Sequence, residues 1–274
     1  MDDITANPIA AAPARPAGAD WRETLWFLVR LAILFTLLRS FIFSPFVIPS
    51  ESMLPRLYIG DYLVVSKFSY GFSRHSLPFS VPLIPGRILA RLPDRGDVAV
   101  FKAPPLDTED YIKRVIGLPG DTIQLRHGQI ILNGVAVRQE PVEDFVIPAS
   151  PNYGCAAPFA EQSFGKAYCR YRQYRETLPN GKSYAVLDRG TTAADDTALF
   201  TVPAGHVFMM GDNRDDSLDS RFPQIPGQGI GFVPVENLVG RAQFTFFSTD
   251  GSASWLLPWT WFTAARGDRI GKGF

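Results

Sequence analysis

Nineteen residues near the start of the chain, Leu25 to Phe43 (LWFLVRLAILFTLLRSFIF), are apolar except for Arg30, Thr36, Arg39 and Ser40. At ~1.5 Å per helical residue such a run matches a hydrocarbon core of ~30 Å, so residues 24–43 are expected to form a transmembrane helix. A charge at mid-bilayer costs ~2.5–3.5 kcal/mol on insertion scales, but neither arginine stands at the centre of the run and both can snorkel. A buried helix of a soluble domain is the alternative. A cleaved leader fits less well, because arginine interrupts the run and no small-residue exit of the A-x-A type precedes Pro45. Arg15 and Arg22 on one side and Arg39 and Arg56 on the other leave orientation undecided by charge.

The span constrains what remains. Residues 1–20, rich in Ala and Pro, bury nothing and read as a flexible tail. With 274 residues and 46% hydrophobic content, the chain has enough apolar material for a sizeable core beyond the span. Acidic and basic side chains balance at 27 each, and no basic tract marks a nucleic-acid partner. Past Pro49 the sequence alternates short β-type runs with turn residues. Strands are expected at Asp61–Ser66, Asp97–Phe101, Ser183–Leu187, Thr197–Val202, His206–Met210 and Arg241–Phe247, and Thr122–Arg126 should meet Gln129–Leu132 across His127-Gly128 as a hairpin. The fold class is mainly β, with 44–141 and 200–250 forming one domain and 142–199 an inserted subdomain.

Two further stretches carry apolar residues without strand pattern. One is the Pro-rich loop Gly71–Asp94, with Leu77, Phe79, Val81, Leu83 and Ile84. The other is the aromatic C-terminal segment 251–274, with Trp255, Trp259, Trp261 and Phe262. Both read either as ordinary core or as a seat in the lipid headgroup region. Cys155 and Cys169 lack the CxxC spacing of a zinc site, and spacing alone leaves a disulfide and two free thiols both open.

Chemistry concentrates in three phrases. Ile48-Pro49-Ser50-Glu51-Ser52-Met53 offers a small hydroxyl, and Asp110-Tyr111-Ile112-Lys113-Arg114 a lysine among apolar neighbours. Neither contains histidine, and His75, His127 and His206 are scattered. If Ser52 is a nucleophile, its base must be something else. A lysine serves only when neutral, and burial is the strongest way to lower its ordinary value of ~10.4. The third phrase, Gly211 to Arg221 (GDNRDDSLDSR), is a dense polar block that suits a bracing shell. It is not a calcium loop, since Arg214 stands at the third position and Ser217 where glycine is required. Gly181-Lys182-Ser183 lacks the earlier glycine of a phosphate loop, and neither G-x-S-x-G nor H-E-x-x-H occurs. No metal or cofactor is expected.

Taken in order, PSESM with Pro55 and Leu57, RGDVAVF from Arg95, YIKRVIGLPGD from Tyr111 and GDNRDDSLDSR from Gly211 resemble the bacterial type I signal peptidases, a serine-lysine dyad family. The resemblance covers about Phe46 to Arg241. It implies a catalytic β domain behind a membrane anchor, with Ser52 as nucleophile and Lys113 as general base. The Ser52 N–H and the Ser50 hydroxyl would form the oxyanion hole. Ser217 would hydrogen-bond the lysine, while Asp219 and Arg221 brace the site. Phe46, Ile48, Met53, Leu57, Leu63, Val100, Asp110, Tyr111 and Ile112 match positions lining the substrate pockets, whose bulky walls admit small residues at the first and third positions before the cut.

The implied partners are signal peptides of exported preproteins and membrane lipid, with contact to the secretion translocon a further expectation. The implied location is the bacterial inner membrane, with the tail cytoplasmic and everything after Phe43 periplasmic or external. That placement tips the cysteines toward a disulfide. Arg56 and Asp216 depart from the family's usual threonine and asparagine. The rival readings are a pilus-maturation peptidase of conjugation type, a self-cleaving repressor, disfavoured because a hydrophobic span stands where its DNA-binding domain would be, and a membrane-anchored β domain that binds peptides without cutting them.

Overall fold

The computed structural model describes residues 21–163, 165–254 and 256–274; the tail 1–20 and Trp255 lie outside them. The described residues fall into two compact units, one ending at Leu37 and the other running Leu38–Phe274. Helix α1 runs Trp21–Phe41, starting and ending slightly before the expected span. It is long and apolar enough to cross a membrane. Of its residues only Ser40 is buried, which is not the pattern of a helix in a soluble core.

The second unit is mainly β. Its principal strands are β1 (Phe43–Val47), β2 (Asp61–Ser66), β3 (Val98–Lys102), β4 (Asp110–Gly117), β5 (Thr122–Arg126), β6 (Gln129–Leu132), β7 (Lys166–Thr177), β8 (Ser183–Asp188), β9 (His206–Met210) and β10 (Leu238–Ser248). The largest sheet has seven strands in the order β1-β2-β10-β3-β4-β9 and then Val233–Pro234, with antiparallel neighbours throughout. Gly240 lets β10 come close to β2, since a Cβ there would lie 2.4 Å from the Ser66 carbonyl oxygen.

β4 is buried on both faces from Ile112 onward, so its sequence reads as a continuous run rather than an alternation. Register puts Ala99 opposite Lys113, Val100 opposite Ile112 and Val98 opposite Arg114. Ile112 joins Ile48, Met53, Leu57, Leu63, Val65, Val98 and Val100 in one core cluster. Tyr111 and Val115 pack with Ala99, Phe101, Val207 and Met209 in another. Lys113 thus stands on the face of Tyr111 and Val115, between two apolar layers.

The hairpin β5–β6 forms where the turn residues place it. His127 and Gly128 take φ of 51° and 77°, as a two-residue turn with both central residues left-handed requires. It belongs to a separate small sheet with Val135–Ala136 and Phe200–Thr201. Only those last two residues of the expected strand Thr197–Val202 are extended and paired. A five-stranded sheet centred on β7 draws on Arg138–Pro141 as well as on residues inside 142–199. Cys155 and Cys169 are joined as a disulfide, with Cα atoms 5.3 Å apart. Within 71–94 the structure adds a short pairing of Phe72–Ser73 with Arg87–Ile88. In the C-terminal segment the aromatics divide: Trp261 stacks on Phe247, while Trp259 and Phe262 are exposed.

Candidate active site

Ser52 follows β1 at the start of a tight turn, in which the N–H groups of Leu54, Arg56 and Leu57 donate to the carbonyls of Glu51, Met53 and Met53. Met53, Leu54 and Leu57 are fully buried and anchor that turn in the core. The Gly211–Arg221 loop holds it from the other side: Asn213 N donates to the Ser52 carbonyl at 3.1 Å, and Asn213 Nδ2 to the Glu51 carbonyl at 3.2 Å. The Ser52 backbone is therefore fixed by two elements far apart in sequence.

Lys113 projects from β4 to meet it. Its Nζ lies 2.5 Å from Ser52 Oγ, with Ser52 and Lys113 only 6% and 4% exposed. Burial pushes the Lys113 ammonium down to about 8, and Arg221 adds to the effect, while Asp219, Asp212 and Asp216 pull the other way. Desolvation wins because no carboxylate pairs with the amine directly. An amine at about 8 is neutral in a substantial minority of molecules near neutral pH, whereas one at its ordinary value is almost never so.

The rest of the polar block is tied to ion pairs that burial makes stringent. Arg221 Nε and Nη2 donate to Asp219 at 2.8 and 3.0 Å, and Gly211 N donates to the same carboxylate at 3.0 Å. Although burial opposes it, Arg221 and these donors hold the Asp219 carboxyl below the usual range. Arg114, next to the lysine, grips Asp212 with two bonds of 2.7 and 2.6 Å. Arg214 grips Glu176 of β7 with bonds of 2.5 and 2.6 Å. Glu51, beside Ser52, accepts from Arg189 at 2.9 Å, and Arg189 also reaches Asp216 at 3.3 Å. The motif reading missed Arg114, Asp212, Glu176, Arg189 and Glu51. Arg114 alone carried a signal, because an arginine inside a buried strand needs a carboxylate somewhere.

A cleft of about 470 Å³ opens over the dyad, lined among others by Ser50, Ser52, Tyr111, Ile112, Lys113 and Ser217. Ser50 Oγ is 3.4 Å from Ser52 Oγ. The Ser52 N–H donates to no protein acceptor among the described residues. The Ser217 hydroxyl is buried and meets no hydrogen-bond criterion among the described residues, and it lies near enough to Asp219 to help lower that carboxyl. It packs on Gly211, where a Cβ would come within 2.3 Å of it.

Of the nine expected pocket residues, Tyr111 and Ile112 line the cleft. Ile48, Met53, Leu57, Leu63 and Val100 are buried in the layer behind it, with Phe46 packed partly buried against them. Asp110 faces elsewhere and pairs with Lys102 at 3.1 Å. Among the described residues no group of three or more His, Cys, Asp or Glu side chains is placed to hold a metal ion.

Residues 21–247 match the family model described as signal peptidase, peptidase S26. A signal peptidase I of Rickettsia typhi is 38% identical over 221 residues, 77% of this chain and 75% of that protein. One of Rickettsia rickettsii is 38% identical over 232 residues, 81% and 77% respectively. The crystal structure of a signal peptidase I from Enterococcus faecalis aligns at 24% identity over 55% of this chain and 97% of its own, with a TM-score of 0.29. A family match over most of the length, joined to relatives at this identity, means that the chain belongs to the signal peptidase S26 family and is a serine peptidase.

Proposed function

We propose that this peptidase is anchored in the bacterial inner membrane by α1, with its N-terminus cytoplasmic, and removes signal peptides from exported preproteins after small-x-small sites. One observation carries the reading: a buried lysine amine 2.5 Å from a buried serine hydroxyl, with no histidine near.

In this mechanism Ser52 Oγ attacks the carbonyl before the cut while neutral Lys113 accepts its proton. The tetrahedral oxyanion falls to the Ser52 N–H and the Ser50 hydroxyl, donors worth ~2.7–4 kcal/mol each where they are aimed at developing charge. Lys113 then returns the proton to the departing amine, and a water activated by the same amine releases the acyl-enzyme. Arg221, Asp219, Arg114 and Asp212 keep the dyad in place and do not touch substrate. An extended leader lies along the β1 end and β4, its small side chains entering a floor backed by Ile48, Met53, Leu57, Leu63 and Val100.

The test is cleavage of a purified preprotein bearing an A-x-A site by the full chain in detergent, with the product's new N-terminus read by mass spectrometry. Cleavage after the second alanine, abolished in Ser52→Ala and in Lys113→Met, is the expected result. Equal cleavage by Ser52→Ala sinks the assignment.

A further inference from the structure

Outside the catalytic cleft, the most costly polar arrangement lies beside the end of α1. A cavity of about 140 Å³ is lined there by Arg39, Ser40, Lys67, Phe79, Lys102 and Asp110, among others, and shares no lining residue with the cleft over the dyad. Three cations face one carboxylate, and that carboxylate is already paired with Lys102 at 3.1 Å. His75, in the same wall, uses Nδ1 on Ser80 Oγ, and burial lowers its tendency to charge.

Lys67 is the group left short. It is 5% exposed; among the described residues its amine makes one hydrogen bond, a donation to the His75 carbonyl at 3.4 Å, and stands 5.9 Å over the Phe46 ring. Burial brings its ammonium down to about 8, reinforced by Arg39, Lys102 and Arg87 and only partly offset by Asp110. Ser40 Oγ is buried with no hydrogen-bond partner at all. A cation with a single long hydrogen bond and a hydroxyl with none among the described residues, both withheld from water, cost the fold free energy that a bound anion would return.

Position says which anion is plentiful there. Residues 24–43 are read as the membrane span, so this cavity, lined by Arg39 and Ser40, sits by the span's C-terminal end, within reach of lipid phosphates. Phe79, which lines it, is fully exposed, and Leu83 and Leu89 in the same Gly71–Asp94 loop are largely so. Such apolar groups are at home in the interface. At ~30 Å³ per water molecule the cavity has room for a group the size of a phosphate.

We propose that this cavity binds the phosphate of an anionic membrane-lipid headgroup, with Lys67 and Arg39 as the charged donors and the Ser40 hydroxyl completing its shell. The inference rests on the membrane-anchored reading above and is independent of the cleavage chemistry.

Native mass spectrometry of the full chain released from detergent micelles tests it, with phosphatidylglycerol and phosphatidylcholine offered in equal amounts. The expected result is retention of one phosphatidylglycerol in preference to phosphatidylcholine, and loss of that preference by roughly tenfold in Lys67→Met, the scale of one charge-assisted hydrogen bond. Should Lys67→Met fail to fold, Arg39→Gln at an exposed position carries the same expectation. Equal retention of the two lipids by the unaltered chain, or an unchanged preference in the folded variant, overturns the proposal. Displacement of the lipid by inorganic phosphate at comparable concentration assigns the cavity to free phosphate and overturns the lipid reading. None of these readouts uses proteolysis, so a failure here leaves the peptidase assignment standing, and a failure of cleavage leaves this one standing.

Discussion

Replacing Lys113 by methionine should abolish cleavage and at the same time stabilise the protein. Folding brings the lysine from 10.5 to about 8, and at ~1.4 kcal/mol per tenfold change in proton affinity this burdens the folded state by roughly 3 kcal/mol when the amine is charged. Methionine fills similar space without charge. Loss of the hydrogen bond to Ser52 takes back ~1 kcal/mol, leaving a net gain of roughly 2 kcal/mol. For a unit of this size that is a rise of about 4–8 °C in Tm.

The sign with pH is definite. A base whose folded pKa is depressed burdens the fold in full below the folded value, progressively less between about 8 and 10.5, and not at all above the unfolded one. The advantage of Lys113→Met should therefore be complete at pH 7 and shrink steadily from pH 8 toward pH 10. Paired thermal melts of the full chain in detergent at several pH values measure it. A variant no more stable than the parent at pH 7, or an advantage that does not fade on going alkaline, refutes the claim that desolvation governs this amine.

Gly211→Ala should cut kcat by roughly 100-fold, because its Cβ would meet Ser217 Oγ at 2.3 Å and the Ser52 carbonyl at 2.5 Å, and a shift of ~1 Å in a nucleophile costs about that much; steady-state kinetics on a leader peptide decide, and near-normal kcat contradicts it. Glu176→Gln leaves Arg214 buried without its charge partner and should destabilise by about 3–5 kcal/mol, read as a fall in Tm; a change below ~1 kcal/mol would show that the insertion does not brace the catalytic loop.

Local chemistry explains what could be read in advance. The turn at His127-Gly128, the strands Asp61–Ser66 and His206–Met210, and the juxtaposed phrases around Ser52 and Lys113 depend on residues adjacent in sequence or on a recurring motif. Partners separated by long loops left no such trace. Arg114 finds Asp212 at a separation of 98 residues and Arg214 finds Glu176 across 38, and nothing in either neighbourhood names the other. Burial was legible in kind but not in direction: Met53, Leu63 and Val100 read as apolar walls, yet they are buried together in one core cluster, Met53 from the turn after β1 and the other two from β2 and β3. The disulfide stayed open for the same reason, since spacing does not show that Cys169 on β7 and the loop holding Cys155 come together.

The account's central claim is that Lys113 acts as the base for Ser52, and the pH dependence of kcat/KM with a short leader peptide tests it most directly, because it reports ionisations of the free enzyme. The account predicts a rise of tenfold per pH unit through neutrality that levels off near the value of about 8 held by the buried amine. A profile flat from pH 6 to 9, or one breaking near the ordinary histidine value of ~6.5, would contradict it.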